Sequence, residues 1–168
     1  GDFCEYIYET SPKVINLNYF FEGKSKKIDF VGYKGMATYL SKHPQSSFYS
    51  QGDNYSLQDF RMRVIDEPEQ KKLLLSLVVE IQNLARDKED QARIAISLVQ
   101  NIPYESDAVF GGDYRLWSLK YPYDVLYQKE GLCGSKSYLL AFLLKEIGYE
   151  VILFYYPKEN HEAVGIRC

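Results

Sequence analysis

The residues best suited to chemistry are Cys133, set in Gly131-Leu132-Cys133-Gly134-Ser135-Lys136-Ser137, and His161, one of only two histidines. A thiol attacks as its thiolate, an anion that the exposed N–H groups and dipole of a helix N-terminus stabilise. A neighbouring imidazole takes the thiol proton and returns it to a leaving group. Gly131 and Gly134 on either side of Cys133 let the backbone bend tightly and leave room for a substrate. The Cys133 N–H would then face a developing oxyanion. The plain alternative is an inert core cysteine, since free Cys is among the most buried residue types. Spacing alone leaves both open.

The elements that must position this pair can be read locally. From Ser137 to Ile147, Tyr138, Leu139, Phe142, Leu143 and Ile147 recur at helical spacing, and Gly148 sits where a helix stops. Val151 to Tyr156 is β-branched and aromatic and too short for a helix, between Gly148 and Pro157, which predicts a buried strand. A second strand is expected from about His161. Cys133 therefore falls in the first turn of a buried helix, with His161 returning on the second strand after it.

Upstream, Asp66 is expected to cap a helix whose stripe is Leu73, Leu74, Leu77, Val78, Ile81, Leu84 and Ala85. A second helix turns Ala92, Ala95, Ile96, Val99 and Ile102 inward and ends at Pro103. Residues 104 to 130 read as a long connection running into the nucleophile turn, and such loops are usually functional or mobile. Its aromatics, Trp117 and Tyr123, together with Gly134, are the expected walls of a substrate groove. Ordinary burial of either ring is the competing reading.

Gly131-Leu132-Cys133-Gly134, followed by helix, strand and Asn160-His161-Glu162-Ala163-Val164-Gly165-Ile166, resembles the transglutaminase-like cysteine peptidase superfamily. The bacterial and archaeal members are the nearest in pattern. Leu98-Val99-Gln100-Asn101-Ile102-Pro103-Tyr104 and Tyr121-Pro122-Tyr123-Asp124-Val125-Leu126 resemble that group's lead-in motifs, so the likeness covers about residues 70 to 168. It implies an α+β, papain-like core with a nucleophile helix packed on an antiparallel sheet. In that core Cys133 is the nucleophile, His161 the general base, and Gln100 an oxyanion donor from the end of its helix, where a solvent-facing amide is the commoner explanation. It also implies an Asp or Glu on the strand after the histidine strand, to orient the imidazole. No such strand fits before Cys168, so the acid and at least one strand are expected beyond it, and without that acid this stretch of chain is expected to show weak activity or none. Glu162 is a poor substitute, because strand neighbours point to opposite faces.

Residues 1–65 read as a β-rich N-terminal element and 66–168 as the transglutaminase-like core. A strand with Ile15, Leu17, Tyr19 and Phe21 on one face, a turn at Glu22-Gly23-Lys24 and a partner strand from Lys27 to Tyr33 make a hairpin. Gly35 to Lys42 reads as a short helix, and 45 to 56 as a polar loop.

The net charge of -3, with no basic block, gives no footprint for nucleic acid. No run is long enough for a membrane span and no signal peptide is visible, which leaves compartment open. The three cysteines do not form a disulfide framework, and Cys133, His161 and Cys168 match no usual zinc spacing. No metal or cofactor is called for. Tyr alone numbers 16, which suits surfaces that meet a peptide or polymer. The expected partner is a protein or peptide substrate, cleaved through an acyl-thioester. Likeness to prokaryotic members favours hydrolysis over transamidation, and a cysteine peptidase or amidase over a transferase. A non-catalytic binding or assembly module on the same fold is the alternative.

Overall fold

The computed structural model describes residues 8–48, 56–105 and 119–167. The chain is an α+β protein. The described residues form six α-helices and two small antiparallel two-strand sheets. The first sheet is a hairpin of β1 (Pro12–Phe21) and β2 (Lys24–Tyr33), turned at Glu22-Gly23. Both turn residues have positive φ, 52° at Glu22 and 73° at Gly23, a conformation in which glycine carries no Cβ penalty. Strand alternation sends Ile15, Leu17 and Tyr19 inward with Ile28 and Phe30, while Phe20 on the opposite face is 60% exposed.

Four helices follow the hairpin before the 106–118 stretch: α1 (Lys34–Ser41), α2 (Leu57–Ile65), α3 (Pro68–Leu84) and α4 (Lys88–Gln100). Ser56 and Asp59 close a reciprocal capping box at the start of α2, a helix that the sequence reading left unassigned. Asp66 is not the cap of α3: it ends α2, and Glu67 caps α3 instead. The Glu67 carboxylate accepts from the N–H groups of Glu69 and Gln70, and Pro68 occupies the first helical position, where its missing N–H costs nothing. On α4 the inward face differs from the expected stripe. Ile94 and Leu98 are fully buried, and Ile96 only half-buried.

The supposed loop 104–130 contains a helix, α5 (Pro122–Gln128), which Pro122 again starts from its first position. Then come α6 (Cys133–Ile147), β3 (Val151–Tyr156) and β4 (His161–Ile166). Gly148 ends α6 at φ 110°, as its place in the sequence predicts. The expectation of a buried β3 is corrected: only Leu153 is buried, and Ile152, Phe154, Tyr155 and Tyr156 are exposed. Among the described residues, β3 and β4 pair only with each other and α6 packs behind them.

The hairpin's inner face joins the same hydrophobic core as α3 to α6, with Phe142, Tyr138 and Leu139 of α6 at its centre. Polar side chains stitch the layers. The Phe20 N–H donates to Ser97 Oγ on α4 (2.7 Å), and the Tyr33 N–H donates to the Tyr123 hydroxyl (2.6 Å). Gln70 receives the Tyr123 N–H at 3.1 Å and donates to the Val64 carbonyl at 2.8 Å, tying α5, α3 and α2 together.

Asp124, in the first turn of α5, has a measurable consequence. Burial pushes its carboxyl up from 3.8 to about 6, against an opposing pull from Lys120. Between those values the folded chain holds a proton that the unfolded chain has lost. Stability therefore falls as pH rises through that window, and the full penalty persists above it. Asp124→Asn should then stabilise the fold by about 2–3 kcal/mol at pH 7.5 and by little near pH 4. Urea midpoints of both proteins at the two pH values check this; an equal difference at both would refute it.

Candidate active site

Cys133 is the first residue of α6, and its thiol is free and partly exposed. The preceding Leu132 has extended backbone and offers no side-chain cap, so the opening N–H groups of α6 depend on what lies in front of them. Part of that space is filled by Tyr104. The segment after α4 pairs with the approach to α6 through a parallel bridge between Tyr104 and Gly131. There the Gly131 N–H donates to the Pro103 carbonyl (3.2 Å) and the Glu105 N–H to the Gly131 carbonyl (3.3 Å). The bridge brings the Tyr104 hydroxyl beside Cys133. Desolvation at that spot, then the sulfur beside it, push the phenol above its ordinary value.

The two glycines do not act by left-handed backbone. Among the described glycines, positive φ belongs to Gly23 and Gly148 only. At Gly131 the constraint is space, since a Cβ would stand 3.3 Å from Lys136 and 3.4 Å from Val125. Gly134 is buried in the first turn of α6. Tyr123 is likewise no groove wall. It is fully buried, with its hydroxyl on the backbone of β2 and its ring edge-on to Phe30. Trp117 lies outside the described residues.

The thiol contacts the leading end of β4. Cys133 Sγ lies 4.0 Å from the carbonyl oxygen of Asn160, the residue immediately before His161. Four residues along the same helix, Ser137 Oγ donates to the carbonyl of Glu162 at 3.3 Å. Two side chains on one face of α6 thus grip the main chain on either side of His161. Covalent geometry then puts the His161 Cα within about 7 Å of the sulfur. The ring itself is turned elsewhere. His161 pairs with Tyr156 across the hairpin and stacks on it, the centroids 6.4 Å apart and the planes 24° apart, on the exposed face of the sheet. The structure therefore brings the two residues together through the backbone but does not join imidazole to thiol.

Glu162 points to the opposite face, as strand alternation requires. It is 2% exposed and paired with Arg61 of α2 at 2.7 Å. Burial pushes its carboxyl up, while Arg61 and then His161 pull it down. Gln100 ends α4 on the surface. Its backbone carbonyl, not its amide, is engaged: Lys136 Nζ reaches it at 3.5 Å and the Ile102 carbonyl at 2.7 Å. No hydrogen bond links the Gln100 amide to Cys133. Sequence reasoning missed Tyr104, Ser137 and Arg61. Tyr104 lay inside a motif already singled out, and Ser137 sits one turn after Cys133, but nothing in the sequence joins Arg61 to a residue 101 positions away.

No family model, curated protein or solved structure matches the chain. Among the described residues no cluster of His, Cys, Asp and Glu is placed to hold a metal ion, and no helix is long and apolar enough to cross a membrane.

Proposed function

We propose that this chain is a transglutaminase-like thiol enzyme acting on amide bonds of proteins or peptides, by hydrolysis through an acyl-thioester at Cys133. The observation that carries this reading is the part-exposed thiol at the head of α6, 4.0 Å from the main chain that leads into His161. The motif likeness around Gly131-Leu132-Cys133-Gly134 and Asn160 to Ile166 supports it, as does the packing of a helix on an antiparallel sheet. In the reaction, Cys133 sulfur attacks the carbonyl carbon as His161 takes its proton, and the carbonyl oxygen becomes an oxyanion at the start of α6. The carbon–nitrogen bond breaks, the proton passes from His161 to the leaving amine, and water releases the acid from the thioester with His161 again as base.

For that role the His161 ring has to leave Tyr156 and come round the leading end of β4 to the side that carries Cys133. The Tyr104 hydroxyl stands where the oxyanion would seek the Cys133 N–H. A hydroxyl beside the sulfur stabilises the thiolate, so Tyr104→Phe should slow alkylation of Cys133 at pH 7 about threefold to tenfold. Iodoacetamide kinetics in a Cys4→Ser/Cys168→Ser background measure this, and an unchanged or faster rate would remove Tyr104 from the account.

One observation favours a second reading, a binding module on the same fold. The imidazole is spent on Tyr156, and Glu162 is spent on Arg61. Incubation with p-nitrophenyl acetate separates the two. An acetyl-thioester detected by mass spectrometry on Cys133, absent in Cys133→Ala and turned over by the wild type, supports the enzyme. No adduct on Cys133 at any pH from 6 to 9 would leave the binding module.

A further inference from the structure

The buried ion pair between Arg61 and Glu162 links α2 to the strand that bears His161. Arg61 Nη2 donates to Glu162 Oε1 at 2.7 Å, and both residues are almost wholly buried. The pair is costly. Arg61 Nε and Glu162 Oε2 are buried without hydrogen-bond partners among the described residues, and burial pushes the phenol of the neighbouring Tyr138 up. Desolvating two charges consumes most of what their attraction returns, and an apolar pair of the same volume is often as stable or more so. Net stability is therefore a weak reason for charges at this place.

Position is a better one. Glu162 directly follows His161, and its side chain leaves the sheet on the face opposite the imidazole. Three contacts converge on the two residues that flank His161. They are Cys133 Sγ at the Asn160 carbonyl, Ser137 Oγ at the Glu162 carbonyl, and Arg61 at the Glu162 carboxylate. The first two are long, at 4.0 and 3.3 Å, and the third is a short charge-assisted bond.

We infer that Arg61 and Glu162 are positioning residues for the thiol site: their bond anchors β4 to α2 and so holds the His161 end of the strand against the first turn of α6. The inference rests on the enzyme reading for its consequence, though not for the anchoring itself. It also gives α2 a part in the site, although α2 belongs to the half of the chain before residue 66.

The test replaces the pair by an apolar one, Arg61→Met/Glu162→Leu, which should leave the global stability at or above the wild type. Amides of β4 should then exchange about tenfold faster than in the wild type while those of α6 keep their protection. The His161-dependent part of Cys133 alkylation should fall by about tenfold to a hundredfold. The exchanged pair Arg61→Glu/Glu162→Arg should restore both. A purely structural role predicts that a variant of equal stability shows wild-type exchange in β4, and that result overturns the inference. Should the apolar variant fail to fold, Glu162→Gln serves: exchange in β4 should rise a few-fold, and unchanged exchange overturns the inference equally. His161→Ala in the wild-type background reads the enzyme proposal separately. If it leaves alkylation unchanged the base assignment falls, and β4 exchange alone then decides the anchoring.

Discussion

Replacing Arg61 alone by methionine is expected to cost about 3–5 kcal/mol, because it strands the Glu162 carboxylate in the interior without its counter-charge. The loss should be larger than for most core truncations of similar size, since a buried ion has to find a proton or water. Its pH dependence gives the cause away. Burial already pushes the Glu162 carboxyl up while Arg61 holds it down, so removing Arg61 sends it higher. The variant then gains relative stability as pH falls through the raised value, because the folded state binds the proton first. Urea unfolding of Arg61→Met at pH 5 and pH 8 should show a smaller deficit at pH 5. The apolar double replacement should recover most of the loss at both pH values. A deficit independent of pH, or one that the second replacement leaves untouched, would mean that the side chain matters for packing and not for charge.

What was legible beforehand was local. The Glu22-Gly23 turn, the alternation from Ile15 to Tyr19, Gly148 at the end of α6 and Pro157 after β3 each announce themselves within a few residues. Their physics, φ preference and side-chain direction, needs no distant partner. Cys133 at the head of α6 and the opposed faces of His161 and Glu162 follow from the same short-range rules. What escaped depends on where chains meet. Pro122 is compatible with a loop or with the first turn of a helix, and burial of Tyr123, Val125 and Leu126 decides for the helix. The choice of Ile94 and Leu98 over Ile96 is made by which side of α4 faces β1 and α6. The exposed β3 followed because hydrophobicity marks a strand without saying how many layers cover it. The Arg61–Glu162 pair lies beyond any pattern of spacing.

His161→Ala is expected to reduce acyl transfer at Cys133 by about a hundredfold, the usual worth of a positioned general base. The resting ring is on Tyr156, so the cost of leaving it bears on the size of the effect. A stacked pair at a solvent-exposed strand end is worth about 1 kcal/mol, which holds the ring away from the thiol by a factor of about five. That is small beside the gain from proton transfer. On the enzyme reading, Tyr156→Ala should raise the rate up to about fivefold by releasing the ring. A Tyr156→Ala protein with an unchanged or lower rate would deny the stacked ring any part in restraining the base.

The most direct trial is the pH profile of iodoacetamide alkylation at Cys133, measured by mass spectrometry from pH 5 to 10 in the wild type and in His161→Ala. The account predicts that near pH 6 the wild type is alkylated much faster than His161→Ala. Superimposable profiles would contradict it.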